Sequence, residues 1–97
     1  MAYKILPYSF DKAKRLGVEI KTSTNPLKKI DVFKSGKKIA SVGAIGYNDY
    51  PTYLEKENKG YYPKGYAKKR RILYRQRHEK DRNIKGTNGW YASEILW

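Results

Sequence analysis

The residue best suited to acid–base chemistry is His78, the one histidine in the sequence. Catalysis by an imidazole needs a nucleophile or a carboxylate within hydrogen-bond reach. The nearest carboxylates in sequence, Glu79 and Asp81, follow at positions i+1 and i+3, a spacing that does not form a catalytic triad. His78 lies one helical turn after Tyr74, and we expect its ring to pack on that tyrosine. The sequence therefore predicts no catalytic residue and indicates that the protein is not an enzyme.

The sequence gives equally little support for a metal site or a cofactor site. The chain has no cysteine, so it offers neither a disulfide nor a thiolate ligand. Its nine Asp and Glu residues are scattered, and close pairs such as Glu55 and Glu57 point to different sides of a helix. The glycine-containing segment 43–46 lacks the spacing of a phosphate-binding loop, and a turn or bulge is the better interpretation. We predict no metal and no cofactor.

The strongest signal is a run of cations between Pro63 and Asn83, where nine Lys and Arg residues face two carboxylates. The resulting local charge of +7 is about half of the net charge of +13. Four consecutive cations, Lys68 to Arg71, repel one another unless an anion lies nearby, so we predict binding to a polyanion or an acidic partner. An ordinary solvated helix is the alternative. The predicted contact residues are Lys64, Lys68, Lys69, Arg70, Arg71, Arg75, Arg77, Lys80 and Arg82.

Tyrosines accompany these cations. Of the ten in the chain, Tyr61, Tyr62 and Tyr66 stand at the start of the basic segment. Their rings can stack on unpaired bases, which favours single-stranded nucleic acid, or can line an apolar protein surface in an assembly. The arginines can form bidentate contacts with phosphate. No helix-turn-helix, zinc-finger or RNA-recognition pattern is visible, so both uses stay open.

The basic segment is predicted to be one helix of about five turns, covering residues 63–83. Tyr66, Leu73 and Tyr74 follow helical spacing and form its apolar stripe. The only (i, i+4) ion pairs that this helix offers are Arg75–Glu79 and Arg77–Asp81.

A β-hairpin is the clearest local pattern. Segments 30–34 and 37–42 alternate apolar and polar residues on either side of the turn dipeptide Ser35-Gly36. Such a hairpin needs further cover, and segment 18–21 is predicted to supply a third strand.

The remaining elements are short. We predict a strand over residues 3–6 and a helix Ser9–Leu16 with Ser9 as N-cap and Gly17 after its end. A helix over 51–57 follows, with Asp49 or Tyr50 near its N-cap. A last helix, 90–97, has Asn88 as its cap and packs as core, with a docking peptide as the alternative. The residues of the first helix predicted to face the core are Phe10, Ala13 and Leu16.

These elements predict an α+β fold in a single domain, residues 1–97. A small antiparallel sheet with a central β-hairpin would be covered by the long basic helix and the short Trp-rich C-terminal helix. A domain of this size has a thin core. The sequence has no apolar run long enough for a signal peptide or a transmembrane segment.

Four segments carry a resemblance to a known group of proteins. They are Lys29-Ile-Asp-Val-Phe33, Gly43-Ala-Ile-Gly-Tyr-Asn-Asp-Tyr50, Arg70-Arg71-(x)2-Tyr74-Arg75-Gln-Arg77-His78 and Gly89-Trp-Tyr-Ala-Ser-Glu-Ile-Leu-Trp97. Across about residues 28–97 the chain resembles small basic proteins of large nucleocytoplasmic double-stranded DNA viruses of algae and amoebae. The group has no assigned activity, so no catalytic residue is carried over. The resemblance implies a viral protein that is packaged in the virion.

We therefore expect a non-enzymatic virion structural protein, a minor capsid or capsid-lining component. The cations between Lys64 and Arg82 would form a basic face that contacts acidic protein, lipid head groups or DNA. Its partners would be other capsid or virion proteins. It would reside in the virion, and in the host cytoplasm or viral factory during assembly. The alternative is a nucleic-acid-binding protein that acts on viral DNA or RNA. The sequence predicts no particular oligomeric state.

Overall fold

The structure, a computed structural model, describes residues 3–97 and every side chain among them except that of Asp81. Five helices and three strands lie along these residues. They are α1 (Pro7–Leu16), β1 (Glu19–Thr22), β2 (Lys28–Lys34), β3 (Lys37–Ala44), α2 (Tyr50–Asn58), α3 (Tyr66–Arg77), α4 (Glu79–Arg82) and α5 (Asn88–Leu96). The predicted α+β class with a small antiparallel sheet is confirmed.

The sheet is built on the predicted hairpin. Its strand order is β1-β2-β3, all antiparallel. Ser35 and Gly36 join β2 to β3 with φ angles of 53° and 78°, as a two-residue type I′ turn requires. Ile30 and Val32 are fully buried, because alternate residues of a strand face the same side of the sheet. β1 begins one residue later than predicted.

One buried carboxylate lies in the middle strand of this sheet. Asp31 is 2% exposed and accepts hydrogen bonds from the hydroxyls of Ser23, at 2.6 Å, and Ser41, at 2.7 Å. Burial on its own raises the pKa of Asp31, but these hydroxyls and the backbone N–H of Thr24 outweigh it and lower the pKa. The ionised carboxylate thus fastens the segment before β2 to the sheet.

Helix α5 provides the main cover of the sheet. It packs against β3 and α1, and its Ile95 and Leu96 are buried. Trp97 is 7% exposed, and its ring lies parallel to that of Tyr74, with centroids 4.2 Å apart. The prediction that segment 90–97 is core is confirmed. The N-cap of α5 is Thr87, whose hydroxyl accepts a hydrogen bond from the N–H of Trp90, and not the predicted Asn88.

The N-terminal predictions need correction. Residues 3–6 form no strand, and α1 begins at Pro7 because proline suits the first helical turn. Ser9 is not the N-cap: it is buried, and its hydroxyl donates to the carbonyl oxygen of Ile95 at 2.9 Å. Phe10 is 50% exposed and is no core residue. Ala13 is buried, Leu16 packs against the core, and Gly17 ends the helix as predicted.

The basic segment is not one long helix. Helix α3 begins only at Tyr66 and ends at Arg77. His78 has φ −110° and ψ 22°, outside helical values, and the one-turn helix α4 that follows packs on α5. The imidazole stacks on Tyr74 at 4.4 Å, as predicted. Tertiary contacts therefore override the helix propensity of this segment.

The break also removes a predicted ion pair. Arg75 and Glu79 do not pair in the described part of the chain, where four other ion pairs occur. The Nε atom of Arg82 instead donates to the carbonyl oxygen of Arg75 at 3.3 Å. The second predicted pair, Arg77 with Asp81, lies outside the described side chains.

A buried ion pair anchors the start of α2. Asp49 is the N-cap, as predicted, and accepts a hydrogen bond from the N–H of Thr52 at 3.0 Å. Its Oδ2 lies 2.9 Å from Nζ of Lys29, with both side chains almost fully buried. The same Lys29 amine donates to the carbonyl oxygen of Tyr47, and the Tyr3 hydroxyl donates to Asp49 at 2.7 Å. Burial and the Asp49 charge raise the pKa of Tyr3, so this phenol stays protonated as the donor.

A glycine permits close packing beside this pair. Gly43 has φ +81°, and a Cβ atom there would lie 2.8 Å from Cδ1 of Leu96 and 2.9 Å from Cδ of Lys29. No real side chain accepts such distances without movement of its neighbours. Segment 43–46 forms the end of β3 and the turn after it, in agreement with the sequence interpretation.

Candidate functional site: a basic face and an adjoining cleft

The nine predicted cations divide into an outer and an inner set. The outer set is exposed to solvent, and the inner set is half-buried. The outer residues are Lys64, Lys68, Lys69, Arg77 and Lys80. The inner residues are Arg70, Arg71, Arg75 and Arg82.

Two of the inner arginines rest on tyrosine rings. The guanidinium carbon of Arg71 lies 4.9 Å from the ring centroid of Tyr50, and that of Arg70 lies 5.5 Å from the centroid of Tyr53. Both are cation–π contacts. The Nε atoms of Arg70, Arg71 and Arg75 are buried and have no hydrogen-bond partner among the described groups. The arginines are thus held in place by packing and keep donor groups unused.

No described carboxylate forms an ion pair with the cations of this region. The ion pairs found among the described side chains are Lys12–Glu94, Lys29–Asp49, Lys38–Asp31 and Lys59–Glu55. None of these pairs includes one of the nine predicted cations. Burial, and then the charges of Arg71 and Arg82, lower the pKa of Arg75. Like charges are therefore held together, and an external anion would relieve their repulsion.

A carboxylate from α2 occupies the start of α3. Oε1 of Glu57 accepts a hydrogen bond from the N–H of Ala67 at 2.8 Å. Hydrogen bonds from the N–H groups of Ala67 and Gly65 lower the pKa of Glu57. The free N–H groups at a helix N-terminus attract anions, and here the protein supplies that anion itself. External phosphates would therefore bind to the side chains of α3 and α4, and not to the N-terminus of α3.

The three predicted tyrosines have different roles. Tyr62 and Tyr66 stack on each other with centroids 4.3 Å apart, and both contact Tyr53. These two rings join α2 to α3. Tyr61 is 72% exposed and keeps its ring accessible. Of the three, Tyr61 is the one well placed to stack on an external partner.

The nine predicted cations between Lys64 and Arg82 are called the basic face below. A cleft of about 470 Å³ lies beside it. Its walls come from α3, from segment 43–49 and from the end of α5. Arg70 and Arg77 line it together with the aromatic residues Tyr53, Tyr74 and Trp97. All four segments quoted for the resemblance contribute residues to this cleft.

Sequence reasoning missed one side of the cleft. Lys29, Tyr47, Asn48 and Asp49 line it, but none of them was predicted as a site residue. The segment Gly43 to Tyr50 is the sequence feature that could have indicated this side of the cleft. It is one of the four segments of the resemblance, but the sequence assigned no role to it. Its position opposite α3 follows from the buried pair of Lys29 and Asp49, which links residues twenty positions apart.

The described residues also limit the chemistry. Across residues 3–97, with the Asp81 side chain set aside, no cluster of three or more His, Cys, Asp or Glu residues is placed to hold a metal ion. Within the same range, no helix combines the length and apolar character needed to cross a membrane.

Comparison with protein-family models, with curated proteins and with solved structures found no match to this chain.

Proposed function

We propose that the protein is a non-enzymatic virion component of a large double-stranded DNA virus, and that its basic face lines the capsid against packaged nucleic acid. The basic face consists of the nine predicted cations between Lys64 and Arg82. The viral setting rests on the resemblance of residues 28–97. The nucleic-acid contact rests on the geometry of α3 and α4.

One observation supports the proposed contact with nucleic acid: the nine cations form no ion pair with a described carboxylate. Charges that serve only solubility are commonly interspersed with the opposite sign. Helix α3 has 12 residues and is about 18 Å long. Because duplex DNA carries about one charge per 1.7 Å of axis, several phosphates lie within reach of it.

The contact with nucleic acid is tested by two double variants that remove the same charge from two different places on the surface. Lys68 and Lys69 are exposed on α3, and Lys34 and Lys37 are exposed beside the hairpin turn. The double variant Lys68→Gln/Lys69→Gln should weaken binding to duplex DNA of any sequence. It should also flatten the slope of log K against log salt by about 0.9 for each lost phosphate contact. The matched variant Lys34→Gln/Lys37→Gln should change both quantities much less.

Fluorescence anisotropy with a labelled duplex at several salt concentrations measures both quantities. An equal loss of affinity in the two double variants would show that net charge, and not the basic face, causes binding. That outcome would refute the assignment to α3 and α4.

The virion part has a separate test. A capsid-lining component is retained in particles emptied of genome, with a copy number set by the particle symmetry. Quantitative mass spectrometry of full and empty particles measures this number. Loss of the protein in proportion to lost DNA would favour the alternative, a nucleic-acid-binding protein that acts on viral DNA or RNA.

A further inference from the structure

Two arginines in the cleft beside α3 form no ion pair with a described carboxylate. Arg70 and Arg77 are seven residues apart, so two helical turns bring both to the same side of α3, and both line the cleft. Lys29 also lines it, but its charge is matched by Asp49 at 2.9 Å. The Nε donor of Arg70 has no hydrogen-bond partner. The cleft is therefore suited to a phosphate group.

The rest of the cleft is suited to a planar ring. Tyr53, Tyr74 and Trp97 form its aromatic wall. Tyr47 also lines the cleft and is 75% exposed, so its ring offers an accessible face for stacking. The half-buried side chain of Asn48 lines the same region and has a donor and an acceptor that make no hydrogen bond within residues 3–97.

We propose that this cleft binds a nucleoside monophosphate unit. Arg70 and Arg77 hold the phosphate, the base stacks on Tyr47, and Asn48 meets its polar edge. The volume of about 470 Å³ falls within the range of about 300–1,000 Å³ that is typical of ligand pockets. Inorganic phosphate alone would leave the exposed ring of Tyr47 without a stacking partner, and an uncharged ring would give the two arginines no anion.

This site goes beyond the contact between the basic face and duplex DNA. A base that is paired in a duplex is not free to enter the cleft, so the unit is either a free nucleotide or an unpaired nucleotide of a strand. The chemistry at Arg77 and Tyr47 is the same in both cases. Tyr47 lies outside the basic face, so its replacement tests the cleft alone.

The experiment is isothermal titration of the full chain with five probes: AMP, adenosine, inorganic phosphate, phosphotyrosine and a short single-stranded oligoadenylate. AMP should bind at least about tenfold more tightly than adenosine, since a hydrogen bond to a charged group contributes about 1.5–3 kcal/mol. Tighter binding of the oligonucleotide, with AMP as a competitor, identifies the ligand as an unpaired nucleotide in a strand. Binding of AMP that the oligonucleotide does not displace identifies a free nucleotide.

Two variants and two matched controls locate the site. Arg77→Gln should weaken AMP binding about tenfold, and Tyr47→Ala should weaken it at least about fivefold. Both side chains are exposed, so circular dichroism should show an unchanged fold. Arg15→Gln and Tyr61→Ala change equally exposed residues outside the cleft and should leave AMP binding unchanged.

Three results would overturn the proposal. They are the absence of saturable AMP binding to the wild-type chain, equal effects of the variants and their controls, and tighter binding of phosphotyrosine than of AMP. The last would assign the cleft to a phosphorylated peptide. Duplex binding by the basic face should be unaffected by Tyr47→Ala, so failure of the cleft and failure of the proposed function are distinguishable.

Discussion

Replacement of Trp97 by alanine tests how the core is built. Trp97 is 7% exposed, and its ring lies parallel to that of Tyr74, with centroids 4.2 Å apart. Truncation of a buried Trp typically costs about 3–5 kcal/mol. Because domains are stabilised by only about 5–15 kcal/mol in total, Trp97→Ala should remove a large share. At about 4–8 °C for each kcal/mol, the midpoint of thermal unfolding should fall by about 12 °C or more.

Thermal unfolding followed by far-ultraviolet circular dichroism measures this midpoint. The control is Tyr61→Ala, which removes an aromatic ring that is 72% exposed. Exposed substitutions usually change stability by no more than about 0.5 kcal/mol, so the control should unfold close to the wild-type temperature. Equal midpoints for Trp97→Ala and Tyr61→Ala would refute the packing of segment 90–97 as core and would restore the docking-peptide interpretation.

Three further predictions concern buried groups and use urea denaturation. Lys29→Met leaves the carboxylate of Asp49 buried without its partner and should lower the free energy of unfolding by about 3–5 kcal/mol. A loss of less than about 1 kcal/mol, as for an exposed pair, would contradict this. Gly43→Ala should destabilise the fold more than Gly46→Ala, since both positions have positive φ but only position 43 meets side chains; equal losses would exclude a steric cause. Asp31 has a lowered pKa, so its ionised form stabilises the fold above about pH 4, and that stabilisation is lost as the pH falls further. The difference in midpoint between wild type and Asp31→Asn should shrink below that pH, and a constant difference would contradict the assignment.

Local patterns predicted part of this fold correctly. The hairpin turn at Ser35-Gly36 follows from residues adjacent in sequence, and the N-cap at Asp49 needs only the following turn of helix. Burial of segment 90–97 follows from its apolar composition. Each of these features depends on residues within a few positions of one another.

The features that were wrong or missed depend on distant residues. Ser9 is inside a helix because its hydroxyl meets the carbonyl oxygen of Ile95, 86 positions later. Glu57 caps a helix that begins nine residues after it, which no capping pattern anticipates. Helix α3 ends just before His78, and the short helix after it, α4, packs on α5. The cleft was missed for the same reason, since its two sides are far apart in sequence.

The cluster of Arg71, Arg75 and Arg82 links the stability of the protein to whatever it binds. Burial, and then repulsion from Arg71 and Arg82, lower the pKa of Arg75 and so disfavour its charged form in the free protein. A ligand that supplies negative charge therefore gains twice, from its own contacts and from the release of that repulsion. By mass action, such a ligand favours the folded chain in proportion to its concentration over its dissociation constant. If the partner is a polyanion, as proposed, its binding should raise the midpoint of thermal unfolding above that of the free protein.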